Sequence, residues 1–346
     1  MRVLAAVRQV GGRRALKLAA MSVVLESAAA RAAAAPAGAG PELFIVMNEG
    51  ARSAGRQAVR ETLRAVLEEA GRPHRFVPVG TGGIVRACQE AARLAGAQGG
   101  ALVAVGGDGT INCAAQAALT QDCPLGVVAQ GTFNLFAREL GLPLDAAEAT
   151  RSLLQAQPRP VQVGWVNQRA FLVNASVGLY PKLLADRERV KQKLGRQRWI
   201  ALLAAVRSLL EWRWPLQVEG ELDGHVGHLR TSTIFVCNNR LQLERVGIAP
   251  DVVAQVGTGR LAGLLVRSER LGEKLRLLAG ALLGRLGRER EIHSFALRSL
   301  TVGSRNARRL KVATDGEVQW MELPLRFTVA PRPLKVLLPP RQEAAT

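Results

Sequence analysis

Between Leu43 and Leu140, short apolar runs alternate with stretches whose apolar residues recur at helical spacing, and that alternation constrains the fold more than any other feature. The run 43–47 (LFIVM) suits a buried strand. Residues 58–70 carry Val59, Leu63, Val66 and Leu67 on one helical face, with Gly71 as a stop. The same reading predicts strands at 76–79, 101–105 and 125–129 and helices at 84–94, 111–119 and 136–140. Strands alternating with helices at this pitch pair in parallel and are covered on both faces, so the first domain is expected to be α/β. Beyond about residue 160 the pattern turns to period two, at 161–166, 171–173, 216–222, 233–236, 261–266, 297–302 and 325–329. That pattern predicts antiparallel sheets stacked as a β-sandwich. The expected organisation is a flexible, basic, Ala-rich extension over 1–40, an α/β domain over 41–160, a β-sandwich over 161–330 interrupted by a basic helical insert at 182–214, and a tail over 331–346.

The first candidate site lies where the strand 101–105 runs into Gly106-Gly107-Asp108-Gly109-Thr110-Ile111-Asn112 and opens a helix. Glycines let backbone amides approach a phosphate with no Cβ in the way, and a helix start offers unpaired N–H donors. Asp108 is suited to holding Mg²⁺ directly or through water, and Thr110 to donating its hydroxyl to a phosphate. A capped strand-to-helix turn is the plainer reading, and the concentration of glycines favours phosphate. A second unit, Gly131-Thr132-Phe133-Asn134, follows the strand 125–129. In a parallel sheet both turns leave the carboxyl ends of their strands, where open α/β sheets bind ligands. A third element, Thr314-Asp315-Gly316-Glu317, reads on its own as a hairpin turn with an exposed carboxylate.

Taken in this order, with Asn-Ala-Ser-Val-Gly-Leu-Tyr at 174–180 between the second and third, these segments resemble the diacylglycerol kinase catalytic-domain family. That family takes in bacterial diacylglycerol and lipid kinases and, more distantly, sphingosine and ceramide kinases. The resemblance covers roughly residues 43–337. It implies an N-terminal α/β nucleotide-binding domain with a parallel sheet of NAD kinase and diacylglycerol kinase type, and a C-terminal antiparallel β-sandwich. ATP would lie in the cleft between the two. It further implies that Gly106, Gly107, Asp108, Gly109, Thr110, Ile111 and Asn112 meet the ATP phosphates and that Asp108 sits in a Mg²⁺ network. Asn48, Thr81, Gly131, Thr132 and Asn134 would complete the nucleotide site, and Glu317 would be the general base. The activity implied is transfer of phosphate from ATP to a hydroxyl of diacylglycerol or a related lipid. A sphingoid-base or ceramide-type kinase and a catalytically weak lipid- or nucleotide-binding regulator remain as alternatives.

Three positions depart from the family pattern. Leu135 stands where an Asp usually follows the Asn of the second motif, and an apolar side chain cannot join a water–Mg²⁺ network. Asn48-Glu49-Gly50-Ala51 is a loose version of the first-strand motif. Thr258 replaces the Asp of a structural Mg²⁺ site, so that second metal is expected to be absent.

The formal net charge of +19 favours an anionic partner, and 4% aromatic residues with a single Tyr count against stacking on nucleic acid. The insert 182–214 carries nine Lys/Arg against three acidic residues, with Trp199, Leu202, Leu203, Val206, Leu209 and Leu210 at helical spacing. It suits peripheral contact with an anionic membrane, or packing on the sandwich. Residues 267–311, with twelve basic and four acidic side chains, add to the same field. Cys88, Cys113, Cys123 and Cys237 form no metal-ligand spacing and read as buried thiols, which fits a cytoplasmic protein associated peripherally with membrane. The sequence is compatible with a homodimer.

Overall fold

The computed structural model describes residues 40–48, 53–178, 216–222, 225–231, 233–266, 292–304 and 307–340. The extension before residue 40, the insert 182–214, residues 49–51 of the first-strand motif and residues 267–291 of the second basic stretch lie outside them.

Four apolar runs become β1 (Leu43–Met47), β2 (His74–Val77), β3 (Ala101–Gly106) and β4 (Leu125–Ala129), paired in parallel in the order β2-β1-β3-β4. Their connections are α1 (Ser53–Glu69), α2 (Gly83–Gln98) and α3 (Asp108–Gln121), with α4 (Leu135–Glu139) and α5 (Ala146–Leu154) following β4. The central strands are apolar at successive positions because both faces are covered. Phe44 and Val46 pack against Ala87, Ala91 and Ile111 of α2 and α3, while Leu43 and Ile45 pack against Leu63, Leu67 and Leu153 of α1 and α5. The chain moves outward one way from β1 to β2 and the other way from β3 to β4. The sheet therefore has a switch point between β1 and β3, where a crevice forms at the strands' carboxyl ends.

β5 (Gln157–Val161) ends this first unit. The strand expected over 161–166 divides between it and the next sheet, since Val161 belongs to β5 and Gly164 begins β6. The sandwich follows: β6 (Gly164–Val166), β7 (Arg169–Phe171), β8 (Asn174–Gly178), β9 (Leu216–Leu222), β10 (His225–Thr231), β11 (Thr233–Cys237), β12 (Leu261–Val266), β13 (Ile292–Leu297), β14 (Ser299–Gly303), β15 (Arg309–Thr314), β16 (Glu317–Glu322) and β17 (Leu325–Val329). Two short helices, α6 (Arg240–Arg245) and α7 (Pro250–Gln255), lie between β11 and β12. The two antiparallel sheets run β10-β9-β14-β17-β6-β7 and β13-β12-β11-β8-β15-β16. Phe171, Leu300 and Phe327 from one sheet and Val177, Ile234 and Val312 from the other share a core.

The stretch expected to be a C-terminal tail behaves differently. Leu334–Leu338 forms β18, which returns to the first sheet between β4 and β5, with Leu334, Val336 and Leu337 buried. The apolar side chains that a tail would expose are covered here, so the first unit is built from two separated lengths of chain.

One carboxylate ties the units together. Asp315 occupies a two-residue turn between β15 and β16 with φ +48°, followed by Gly316 at φ +90°. Positive φ at both central positions is the primed hairpin geometry that Asp-Gly favours. Its Oδ atoms accept the backbone N–H groups of Leu172 (2.7 Å), Val173 (2.9 Å) and Asn174 (3.0 Å). They also accept Asn112 Nδ2 of α3, at 2.6 Å. Burial pushes this carboxyl up from its ordinary range, and the four N–H donors pull it back. The four cysteines of the chain are buried and free, and burial pushes the Cys88 and Cys237 thiols up to about 12.

Replacing Asp315 by Ala strands the amides of buried Leu172 and Val173 and of half-buried Asn174, and leaves Asn112 Nδ2 with the Ala170 carbonyl as its partner. Urea unfolding should then show a loss of about 3 kcal/mol. Asp315→Asn, which keeps one acceptor oxygen, should lose less.

Candidate active site

Because β1 to β4 are parallel, the segments that follow them emerge on one rim. Asn48 ends β1, Thr81 lies between β2 and α2, the glycine turn joins β3 to α3, and Gly131 to Asn134 follow β4. Asn48 Nδ2 donates to Thr110 Oγ1 at 3.1 Å, which links the two sides of the switch point. Gly107 caps α3 in an extended conformation with no side chain on the first amides, leaving the start of the helix open as a donor surface. Thr81 and Thr132 are exposed.

The two glycine turns touch through their backbones. A Cβ on Gly131 would stand 2.7 Å from Gly107 Cα and 2.7 Å from Asn134 Oδ1, and a Cβ on Gly107 would meet Gly131 Cα at 3.3 Å. The glycines therefore serve first to bring one turn against the other. Asp108 fastens the contact, its Oδ2 accepting the Asn134 N–H and its Oδ1 the Leu135 N–H, both at 2.9 Å. Asn134, buried with φ +51°, accepts the Gly131 N–H on its Oδ1 at 2.8 Å. Its side chain thus builds the loop. Two further residues anticipated at the phosphates face elsewhere: Ile111 is fully buried in the core, and Asn112 is committed to Asp315 and to the Ala170 carbonyl.

Glu317 begins β16 directly after the Asp315-Gly316 turn. Its Oε1 lies 3.5 Å from the position a Cβ on Gly109 would take, and its Oε2 accepts Arg169 Nη2 at 2.9 Å. The distant carboxylate and the glycine turn are thereby neighbours in space. Sequence reasoning passed over Arg169, a residue of the short hairpin β6–β7 that carries no motif. It shares the lining of a cavity of about 90 Å³ with Val85, Gln89, Cys113 and Gln116. Burial pushes the Cys113 thiol up, Glu317 adds to the rise and Arg169 opposes it. Arg56 was missed for the same reason. It lines a second cavity, of about 230 Å³, with Asn48, Arg60 and Phe76 at the ends of β1 and β2. The Nε atoms of Arg56 and Arg169 are buried without a partner among the described residues.

A metal caged by protein alone does not fit, since no three His, Cys, Asp or Glu side chains gather among the described residues. A Mg²⁺ carried by nucleotide phosphates does fit. Such an ion needs only one or two carboxylates, and each Asp108 oxygen accepts a single amide and keeps a second lone pair. Leu135 supplies none.

Residues 42–166 match the model of the diacylglycerol kinase catalytic domain, and residues 182–338 match that of the YegS C-terminal NAD kinase beta sandwich-like domain. The chain is 29% identical over 244 residues to the diacylglycerol kinase of Bacillus subtilis, covering 69% of this chain and 77% of that protein. It is 30% identical over 246 residues to "Probable lipid kinase YegS-like" of Pseudomonas syringae pv. tomato, covering 69% and 75%. A crystal structure described as a diacylglycerol kinase from Bacillus anthracis superposes with a TM-score of 0.59 at 18% identity, over 86% of this chain and 97% of that one. That superposition bears on the fold.

Gly131→Ala should force the two turns apart. Its thermal midpoint should fall by the equivalent of about 1–3 kcal/mol. Gly55→Ala, where a Cβ meets nothing within 4 Å, should leave the midpoint nearly unchanged.

Proposed function

The chain belongs to the diacylglycerol kinase family of lipid kinases, and from that membership we propose that it transfers the γ-phosphate of ATP to a hydroxyl of diacylglycerol or a closely related membrane lipid. The observation that carries the reading is the approach of Glu317 Oε1 to Gly109, which sets a carboxylate over the glycine turn at the switch point.

In this reading the open amides of Gly107, Asp108 and Gly109 and the Gly131 turn receive the triphosphate. Asn48 and Thr110 hold the floor of the site, with the Thr81 and Thr132 hydroxyls at its edge. Phosphoryl transfer asks of a protein mainly alignment and neutralisation of charge, which amides and cations aimed at the phosphates provide. Asp108 would hold a Mg²⁺ that reaches the site on the phosphates and lowers their negative charge. A lipid hydroxyl attacks poorly until its proton has somewhere to go, and a carboxylate within hydrogen-bond reach removes it. Glu317 has that part. Arg169 restrains the Oε2 atom and leaves Oε1 turned to the glycine turn, so it acts as a positioning residue. The acceptor remains in its bilayer, and the protein therefore works peripherally at a membrane surface. Among the described residues, no helix is long and apolar enough to cross one.

The test is transfer of labelled phosphate from ATP to diacylglycerol, sphingoid bases, ceramide and phosphatidylglycerol presented in mixed micelles. Diacylglycerol should be labelled. Glu317→Gln should reduce kcat by about 10²–10⁴-fold with ATP affinity unchanged, and Asp108→Ala should weaken both ATP binding and turnover. Full turnover by Glu317→Gln would remove it as the base, and labelling of none of the four lipids would remove the lipid reading itself. Arg169→Lys should retain more kcat than Arg169→Gln at an unchanged KM for ATP. Equal loss in the two variants would point to packing instead.

A further inference from the structure

Two short helices meet where the α/β unit touches the sandwich. α4 follows the Gly131 turn, and α6 follows β11. Each is seated in a different core: Phe136 and Ala137 of α4 are buried with the first unit, and Leu243 of α6 is buried with Val252, Val253 and Leu264. Hydrogen bonds join the two helices. Glu139, the last residue of α4, accepts the Leu241 N–H on Oε2 at 2.8 Å and the Arg240 N–H on Oε1 at 3.2 Å. Asn239, fully buried, donates Nδ2 to the Leu135 carbonyl at 3.2 Å and accepts the Gln242 N–H on Oδ1 at 2.8 Å.

α4 is therefore clamped by a carboxylate at both ends. At its start Asp108 takes the amides of Asn134 and Leu135, and at its end Glu139 takes two amides of α6. The bonds continue beyond α6. Gln242 Oε1 accepts Asn174 Nδ2 at 2.9 Å, and the Asn174 N–H reaches Asp315 Oδ1 at 3.0 Å, two residues before Glu317. A path of hydrogen bonds leaves Asp108, crosses α4 and α6, and arrives at the turn that carries Glu317. The bond from Asn112 of α3 to Asp315 joins the same two places by a second route, so the connections close a ring.

We propose that Glu139 is a positioning residue: by fixing α4 to α6 it holds Asp108 and the Gly131 turn in register with Glu317. The inference deepens the phosphotransfer reading and takes its purpose from it. In that reading the phosphates rest on one unit and the base belongs to the other, so their separation is only as constant as the contacts between the units. A displacement of about 1 Å at the reacting atoms can cost about 10²-fold in rate. One tie between two bodies leaves a pivot, and a second tie at a different place removes it. A carboxylate suits the task, because hydrogen bonds from two successive amides to its two oxygens fix direction as well as distance and are strengthened by its charge.

The experiment compares the full chain with Glu139→Gln, which keeps one acceptor oxygen, and Glu139→Ala, which keeps none. Turnover of diacylglycerol should fall in that order, by about tenfold for Glu139→Ala, with the Kd for ATP within about twofold of the parent. In a Glu317→Gln background Glu139→Ala should cost at most about twofold more, because no base is left to align. Parental kcat in Glu139→Ala, or equal losses in the two backgrounds, overturns the positioning role. Hydrogen exchange without substrate reads the clamp by itself. The amides of Asn134 and Leu135, at the opposite end of α4, should exchange about tenfold faster in Glu139→Ala, and those of Leu172 and Val173 should be unchanged. Parental exchange at Asn134 and Leu135 overturns the proposal whatever the activity. Faster exchange there in a protein that phosphorylates no lipid would uphold the clamp and remove the kinase reading.

Discussion

A single carboxylate holds the site together. Asp315 gathers three consecutive backbone amides of the β7–β8 connection and the side chain of Asn112 from the helix that follows the glycine turn. A carboxylate with four donors is costly to bury and costlier to remove, because the amides of buried Leu172 and Val173 would lose their acceptor. The consequence is geometric. The turn that contains Asp315 is locked to α3, and Glu317, two residues further on, is carried to the start of the same helix. Sandwich and α/β unit are thus registered to one another at the point where the proposed chemistry needs them.

The rim of the parallel sheet adds a second constraint. Backbone contact between Gly107 and Gly131 leaves no room for a side chain at Gly131, and Asp108 spans the junction with a hydrogen bond to each of two successive amides. Asp108 therefore has a structural task before any ligand arrives. That double use explains how the loop keeps its shape with the apolar Leu135 in it: the backbone N–H at this position, which any residue but Pro supplies, is what Asp108 binds. The side chain instead packs against the core. In the proposed reaction the triphosphate would rest on Asp108 with the loop amides, and the acceptor proton would pass to Glu317.

Much of this was legible in the chain. The runs at 43–47 and 125–129 are the observed strands β1 and β4, because a strand covered on both faces must be continuously apolar. The glycine turns and the Asp-Gly hairpin could be located because only a few residue types adopt their backbone angles. What escaped was whatever depends on a partner far away in sequence. Arg169 is one basic residue among many until the hairpin β6–β7 brings it to Glu317. Asp315 looks like turn chemistry until the amides 172–174 are seen converging on it. β18 reads as a tail because its neighbours, β4 and β5, lie about 200 residues earlier. Ile111 and Asn112 illustrate the converse: they sit in the motif, yet α3 turns one into the core and the other toward Asp315, since consecutive helical residues point in different directions.

The central claim is that Glu317 stands close enough to the glycine turn to share one acceptor hydroxyl with a triphosphate bound there. A crystal structure with a non-hydrolysable ATP analogue measures this directly. A hydroxyl hydrogen-bonded to the carboxylate and poised for in-line attack sets the γ-phosphorus about 6 Å from Glu317 Oε1, with the β- and γ-phosphates on the amides of Gly107 to Gly109. A triphosphate bound away from that turn, or a carboxylate more than about 10 Å from the γ-phosphorus, farther than one hydroxyl can bridge, would contradict the account.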